Sequence, residues 1–369
     1  MTLTASFVPG QVLVSFALSF ISAYSAVAFA DIFRQALKIT PKYFSSEVVL
    51  FFMSVAIGGC AIWSMHFTGM AALRIESEGE TLSVSYNIGV TIFSLVVAIA
   101  CVYLGLFISS RDRVFTKDKE ELFAMLMNDA KNHSIQSIQN KFTLYRLAAL
   151  KGLLPLVIGG VVTGGGVCIM HYVGMMALTA HVSMKWNPGL VIFSIGIAVV
   201  ASTAAFWILF RLLPLFPNYE SLRVGSSLIM AIAVCGMHYT GMMAVTYESN
   251  NDLSGYRVGS EKMSRENAYL GALISSLMLN WIFSMLIQGE LRHFSLLGSK
   301  HSKELLKLYE KYPNERQNSN AVISSNRASE MLPTNMESGE RQLKTNSTNL
   351  ITRMGAGSKV YSINVDPMP

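Results

Sequence analysis

Seven long apolar blocks, separated by polar segments, constrain the fold of this sequence more than any other feature. A helix needs about 20 mostly apolar residues to cross a bilayer, and each block is about that long. The blocks cover roughly 11–30, 48–73, 88–109, 152–180, 190–213, 222–247 and 268–289. The pattern predicts an all-α fold, a multi-pass transmembrane bundle of seven helices in a lipid bilayer.

Composition supports a membrane protein and excludes several other classes. Of the 369 residues, 51% are hydrophobic and 14% are charged, whereas a soluble globular chain has about 25% charged residues. A soluble enzyme, a fibrous protein and a wholly disordered chain are therefore excluded. The net charge of +6 comes mostly from loops and the C-terminal region, which points to membrane topology and not to a nucleic-acid partner.

The distribution of Lys and Arg between the blocks predicts the orientation. Thirteen lie in the segments 31–47, 110–151 and 211–223, against five in the alternate connections. Because positive loops stay in the cytoplasm, we expect the N-terminus outside and the C-terminus in the cytosol, with the plasma membrane as the expected location.

Two regions follow from the same pattern. Residues 1–290 are predicted to form the membrane domain, which includes a polar cytosolic loop at 110–151. Residues 291–369 are rich in Ser, Asn, Lys and Glu and predict a mostly disordered cytosolic tail. A cytosolic signalling partner is expected to bind the loop or the tail.

A short motif recurs near the C-terminal ends of the second, fourth and sixth blocks. Its copies are Met65-His66-Phe67-Thr68-Gly69-Met70, Met170-His171-Tyr172-Val173-Gly174-Met175 and Met237-His238-Tyr239-Thr240-Gly241-Met242. The unit is a pair of helices, present three times and followed by one more helix. Since all three motif helices run from inside to outside, the motifs lie at one depth toward the outer leaflet and can converge on a common centre.

Helical phase predicts which side chains share a face with each histidine. Positions three before and four after a residue lie on the same stripe of a helix. The stripes are Trp63, His66 and Met70; Cys168, His171 and Met175; and Cys235, His238 and Met242. The methionines that directly precede the histidines lie about 100° around the helix, so they become ligands only if the helix end unwinds.

Thioether, imidazole and thiol donors favour Cu(I) over hard cations. The blocks as drawn contain no Asp or Glu, which calcium, magnesium or a carboxylate-rich zinc site would need. We therefore expect one or two copper ions, with haem held by two histidines as a less favoured cofactor. The hydroxyls of Tyr172, Tyr239, Thr68 and Thr240 are candidates for orienting an imidazole or contacting a ligand.

Simpler interpretations stay open beside this one. Methionine commonly fills gaps in apolar cores, a single intramembrane histidine can be a packing residue, and Cys168 and Cys235 are either ligands or small buried apolar residues. However, ionisable side chains at membrane depth are costly and usually functional. Three histidines in the same phase with the same neighbours therefore favour a shared site.

The thrice-repeated Met-His-Tyr-Thr core resembles the MHYT family of integral membrane sensor domains over roughly residues 7–290. The resemblance implies six or seven spans, copper bound through Met65, His66, Met170, His171, Met237 and His238, and sensing of oxygen, carbon monoxide or nitric oxide. Phe67 and Val173 depart from the motif, which argues against an essential role for all three hydroxyls. The polar tail in place of a catalytic output domain resembles stand-alone eukaryotic, fungal-type members.

Three functions compete at this stage. A sensor is favoured; a transporter or channel for copper or a small solute is the alternative. An enzyme is disfavoured because the sequence offers no carboxylate pair, nucleophile–base pair or phosphate loop. A retinal receptor is also disfavoured, because 268–289 contains no lysine for a Schiff base.

Overall fold

The chain folds as a bundle of long helices whose connections at one end contain short strands. A computed structural model describes residues 3–37, 44–77, 80–112, 115, 141–179, 182–216, 219–249 and 261–311. Contacts between residues divide the chain into two units, 1–298 and 299–369. Most of the loop and of the tail named above lies outside the described residues, at 116–140 and 312–369, so the division into 1–290 and 291–369 stays a prediction.

Seven of the described helices are long and apolar enough to cross a membrane, and we call them spans 1 to 7. In chain order they are Pro9–Ala36, Ser46–Ala71, Ile88–Ser109, Leu154–Met176, Pro188–Leu215, Glu220–Met243 and Arg265–Leu297. The predicted all-α bundle of an integral membrane protein is confirmed. A further helix, Lys141–Leu150, precedes span 4, and the helix of span 7 continues to Lys311.

Two spans change helix type along their length. Span 2 consists of Ser46–Ser54, a π-helical segment at Val55–Ser64 and Met65–Ala71; span 5 consists of Pro188–Trp207, a π-helical segment at Ile208–Leu212 and Leu213–Leu215. π-Helical insertions are rare and often lie at functional positions. In span 2 the insertion ends directly before the motif.

Most spans extend beyond the apolar blocks that the sequence defines. Span 1 reaches past its block to include Asp31, and span 6 begins at Glu220, two residues before its block. Arg223 pairs with Asp31 at 2.5 Å between the two spans, so the paired charges allow both helices to continue where hydropathy falls.

The first six spans form a closed ring. Each packs against the next in chain order, and span 6 packs against span 1. Spans 2, 4 and 6, which carry the motifs, also contact one another at the centre. Each is more buried over its most apolar stretch than the span that follows it: 72% against 33%, 56% against 22% and 39% against 28%. The motif helices therefore form the inner part of the ring.

Span 7 packs on the outside of this ring. Its Phe283 lies edge-on to Phe29 of span 1, with ring centroids 5.1 Å apart. Asn280 accepts a hydrogen bond from Ser25 at 2.8 Å and donates one to Ser22 at 2.9 Å. The seventh helix is thus fixed to span 1 by an aromatic pair and a buried amide.

The described residues include eight short strands, which the sequence analysis did not predict, at the end where the motif helices finish. They are β1 Thr4–Phe7, β2 Leu73–Ser77, β3 Glu80–Thr81, β4 Ser85–Asn87, β5 Leu178–Thr179, β6 Val182–Trp186, β7 Val245–Ser249 and β8 Lys262–Ser264. They form antiparallel sheets in the orders β1-β2-β3, β5-β4-β8 and β6-β7.

The strand pairing repeats three times. In each repeat, the strand that leaves a motif helix pairs with the strand that enters the preceding span: β2 with β1, β5 with β4 and β7 with β6. An amide of the entering segment also donates to the alanine carbonyl that follows the motif. These bonds are Val8 to Ala72 at 2.9 Å, Asn87 to Ala177 at 2.8 Å and Asn187 to Ala244 at 2.8 Å. The repeat is therefore a structural unit as well as a sequence motif.

Candidate metal centre

The three motif histidines meet at the centre of the ring. Their Nδ1 atoms are 3.1 Å apart between His66 and His238, 3.2 Å between His171 and His66, and 3.3 Å between His238 and His171. All three side chains are buried, with at most 1% of their surface exposed. The motifs thus converge on one point, as their common depth on three parallel helices predicts.

The three imidazole rings are nearly perpendicular to one another. The interplanar angles of the three pairs are 82°, 84° and 90°, and their centroids are 5.0, 4.9 and 5.1 Å apart. Because these values are nearly equal, the three repeats supply chemically equivalent nitrogens.

Hydrogen bonding alone cannot satisfy this triangle. In a neutral imidazole, Nδ1 either carries a proton and donates or presents a lone pair and accepts. Three Nδ1 atoms cannot therefore each donate to the next, and when all rings are neutral at least two of them present the same group, either two N–H groups or two lone pairs. With the protons on Nε2, all three Nδ1 lone pairs face the centre, and a cation there would remove their repulsion.

The dimensions fit a metal ion. Ligand nitrogens at about 2.0–2.1 Å from a tetrahedral ion are about 3.3–3.4 Å apart, close to the observed 3.1–3.3 Å. Among the His, Cys, Asp and Glu side chains of the described residues, these three histidines form the only group that is close enough to share an ion. Imidazole donors suit copper, zinc, iron and nickel.

The motif glycines orient the imidazoles. A Cβ at Gly174 would collide with Nε2 of His66, one at Gly241 with Nε2 of His171, and one at Gly69 with Nε2 of His238. Each histidine therefore packs against the glycine of the next repeat, and the contacts form a closed cycle. Because the glycine lies against Nε2, each ring is turned with Nδ1 toward the centre.

The three Nε2 atoms have no hydrogen-bond partner among the described residues. A metal-binding histidine usually donates its second N–H to a carbonyl or carboxylate. This centre lacks that support, so the rings are held by packing. The aromatic residue that follows each histidine contributes, with ring centroids 4.8 Å apart for His66 and Phe67 and 4.9 Å apart for His171 and Tyr172.

The motif tyrosines bond to serines and not to the histidines. Tyr172 Oη pairs with Ser194 Oγ at 2.5 Å, and Tyr239 Oη pairs with Ser15 Oγ at 2.9 Å. In the first repeat Phe67 has no hydroxyl, and Trp63 Nε1 donates to the equivalent Ser94 Oγ at 3.0 Å. The departure at Phe67 is thus compensated one turn earlier in the same helix.

The sequence analysis missed these serines, although a signal for them exists. Ser15, Ser94 and Ser194 each lie seven residues after the residue that precedes span 1, 3 or 5. That preceding residue is Val8, Asn87 or Asn187, and each is followed at the second position by glycine. A comparison of the odd-numbered blocks with one another would have revealed the pattern.

The other predicted ligands lie around the histidines in two separate apolar clusters. Met170, Met237 and Cys168 pack in the main core, whereas Met70, Met175 and Met242 pack in a second cluster beneath the strands. Cys235 and Met65 are also buried. Neither Cys168 nor Cys235 belongs to the histidine group. Thr68 is fully buried and its Oγ1 has no partner among the described residues, whereas Thr240 is half-buried.

Comparison with known proteins identifies relatives of these repeats. The family model described as MHYT, a bacterial signalling protein N-terminal repeat, matches residues 59–117 and 164–219. The bifunctional diguanylate cyclase/cyclic di-GMP phosphodiesterase MucR of Pseudomonas aeruginosa is 30% identical over 229 residues, which are 62% of this chain and 27% of that protein.

Two further relatives have similar coverage. The signaling protein YkoW of Bacillus subtilis is 29% identical over 197 residues, 53% of this chain and 19% of that protein. The cyclic di-GMP phosphodiesterase NbdA of Pseudomonas aeruginosa is 26% identical over 191 residues, 51% of this chain and 19% of that protein. The chain thus spans about a quarter or less of the length of these relatives. No solved structure matches it.

Proposed function

Because this chain belongs to the MHYT family of membrane signalling proteins, we propose that it senses a small ligand through a copper ion held by the three motif histidines. The observation that carries the proposal is the triangle of Nδ1 atoms, 3.1–3.3 Å on each side. Its size suits one ion, and with the protons on Nε2 its three lone pairs would face that ion.

Copper is favoured by the surroundings of the triangle. The donors are neutral imidazoles, no carboxylate of the described residues joins the group, and the thioethers of all six motif methionines are buried, five of them in the two neighbouring clusters. Such nitrogen- and sulfur-rich sites suit Cu(I) better than hard cations. A copper ion with three protein ligands supplies an open position that oxygen, carbon monoxide or nitric oxide can occupy.

The arrangement of the helices supports a sensor. Each histidine comes from a different inner helix, so any change in the distances between the three Nδ1 atoms moves spans 2, 4 and 6 relative to one another. A ligand that prefers one such arrangement shifts the equilibrium toward it. We propose that a cytosolic partner detects this shift at the loop 110–151 or at the tail.

The orientation and the role of the matched region belong to the same proposal. With the N-terminus outside, as the charge distribution favours, the histidines lie near the outer leaflet of the plasma membrane. The catalytic names of the relatives belong to proteins several times longer than the matched region, so we propose that this membrane domain is not itself an enzyme.

Elemental analysis of detergent-purified protein tests the metal site. We expect about one copper per chain in the wild type and background copper in the H66A/H171A/H238A variant. H293A is the matched control because His293 lies on span 7, outside the histidine group, and it should retain the ion. Equal copper in the wild type and the triple variant would refute the site.

Two further measurements separate the alternatives. An absorption spectrum of the purified protein would reveal a Soret band if haem were the cofactor. Copper uptake by cells that depends on His171 would favour the transporter, whereas a sensor predicts uptake that is independent of this residue.

A further inference from the structure

An apolar cavity of about 50 Å³ lies among spans 2, 4, 5 and 6. Its walls include Ile57, Val167, Ala205, Met230 and Met237. The only hydroxyl groups among its lining residues are those of Thr163 and Ser202, and no charged side chain lines it. The histidine centre does not account for this space, because none of the three histidines is among the lining residues.

The cavity lies on the cytosolic side of the histidines, within the depth of the proposed bilayer. Met237 lines it and directly precedes His238, whereas Met230 lies two turns further down the same helix. The lining residues from spans 5 and 6 include half-buried ones, Ala201, Ala205 and Ala233. Since the outer face of these helices is lipid-facing, the cavity borders on the hydrocarbon region between spans 5 and 6.

On the strand side of the centre, the described residues form a packed apolar layer. The second apolar cluster covers the histidines from the strand side and includes Met70, Met175, Met242, Tyr86 and Tyr247. Burial raises the pKa of Tyr247 to about 12 and also raises that of Tyr86, so both phenols stay neutral. A ligand from the aqueous side would have to displace this packed layer.

The size and lining of the cavity define its occupant. A cavity of about 150 Å³ binds benzene, and this cavity of about 50 Å³ is a third of that size, too small for an aromatic ring or a lipid chain. A buried water typically makes about three hydrogen bonds, whereas the side chains that line this cavity offer two hydroxyls, so they hold a water only weakly. Thr163 Oγ1 has no hydrogen-bond partner among the described residues, so it can provide one weak polar contact.

We propose that this cavity binds a small, uncharged, apolar molecule of two or three heavy atoms, which enters from the bilayer between spans 5 and 6. Binding at this place follows from the cavity alone. The role of the bound molecule as a reservoir for the ligand of the histidine centre rests on the proposed function.

Xenon is a suitable probe because it is apolar, uncharged and similar in size to such a molecule. The test compares xenon binding by 129Xe NMR in detergent-purified wild type, A205L and A204L. Ala205 lines the cavity, whereas its neighbour Ala204 on the same span is exposed to lipid. We expect saturable binding in the wild type and A204L, and at least a tenfold weaker affinity in A205L because leucine fills the space.

Equal xenon binding in A205L and A204L, or no saturable component in the wild type, would overturn the proposal. A233L, which fills the same cavity from span 6, replaces A205L if that variant does not fold. Copper content is measured on the same samples. Xenon binding that persists in H66A/H171A/H238A supports the cavity even if this variant loses its copper. Copper that persists in A205L shows that the metal site does not depend on the cavity, so the two proposals can fail independently.

Discussion

The two ends of the bundle are built on different principles. At the end with the strands, every contact that shapes the histidine centre occurs three times: histidine on glycine, aromatic residue on serine, and amide on alanine carbonyl. At the opposite end, a buried ion pair of Arg211 and Asp112 connects span 5 with the segment that follows span 3, with their side chains only 1% and 2% exposed.

At the unrepeated end, the Arg211 guanidinium forms a cluster of hydrogen bonds that has no counterpart among the described residues of the other repeats. Nε and Nη2 of Arg211 donate to the Asp112 carboxylate at 2.7 and 2.6 Å. Nη1 donates to the carbonyls of Ala148 and Lys151 at 2.5 and 2.9 Å, and Nη2 also donates to that of Gly152 at 3.1 Å. The π-helical segment of span 5 thus binds the connection that leads into span 4 through a saturated guanidinium.

The difference shows how one fold can combine a symmetric site with an asymmetric opposite end. Three equivalent repeats place three equivalent nitrogens at one point, on spans 2, 4 and 6. The opposite end instead links span 5 to the segment after span 3 through a single buried ion pair. We therefore expect a movement at the centre to act alike on the three motif helices and to meet unequal contacts at the opposite end.

The largest effect is expected at the unrepeated end. In D112N the charge of Arg211 remains buried without a counter-ion, which costs about 3–5 kcal/mol. E248Q is the control, because the Lys185–Glu248 pair on β6 and β7 is partly exposed and such pairs contribute about 1 kcal/mol or less. Thermal and denaturant unfolding in detergent measure both variants. Similar losses of stability would contradict the contrast between the two ends.

The next largest effect concerns the contact between a histidine and a glycine. In G174A the new Cβ pushes against His66 Nε2 and turns the ring away from the centre. We expect copper affinity to fall by about 10–100-fold, as for other residues that orient a ligand. G165A on the same span is the control, since a Cβ there meets nothing within 4 Å. Competition titration with a Cu(I) chelator measures the affinities, and equal values would refute the orienting role.

The equivalence of the repeats is tested by S15A, S94A and S194A. S15A and S194A each remove the partner of one half-buried motif Tyr hydroxyl, which should cost about 1–2 kcal/mol. S94A should cost less, because Trp63 Nε1 still donates to the carbonyl of Thr91 at 3.2 Å. S275A, at an exposed serine that bonds only to its own helix, should have little effect. A loss confined to one repeat would break the threefold comparison.

The smallest effect is expected for the methionines beneath the strands. Leucine has a similar volume, so each of M70L, M175L and M242L should cost less than about 1.5 kcal/mol in stability. Because three imidazole nitrogens already surround the proposed ion, we expect unchanged copper content in the triple variant by elemental analysis. Loss of copper would return these thioethers to the ligand set that the sequence analysis proposed.

Much of the membrane architecture could be predicted from the sequence. Apolar blocks of bilayer length identify the seven spans because a helix that crosses the hydrocarbon core must be apolar over about 20 residues. The recurrence of His66, His171 and His238 at equal depth predicts that they share a centre. The helix ends were less predictable, since span 1 continues beyond its apolar block through Asp31, whose charge is paired with Arg223 of span 6.

The short strands and the Arg211 cluster were not predicted. Strands of two to five residues have too little periodicity to be recognised, and their pairing depends on which helix ends lie side by side. Likewise, the sequence separation of 99 residues between Asp112 and Arg211 gives no sign that the two side chains meet.

The order of apolar and polar residues, fixed by the solvation of side chains, was enough to determine seven spans, three repeats and a histidine in each. Only the packed ring decided that Nδ1 faces the centre, because this depends on glycines of neighbouring repeats that lack a Cβ at the point of contact. A local pattern can place a ligand on a helix, but the orientation of its ring is set by residues distant in the chain.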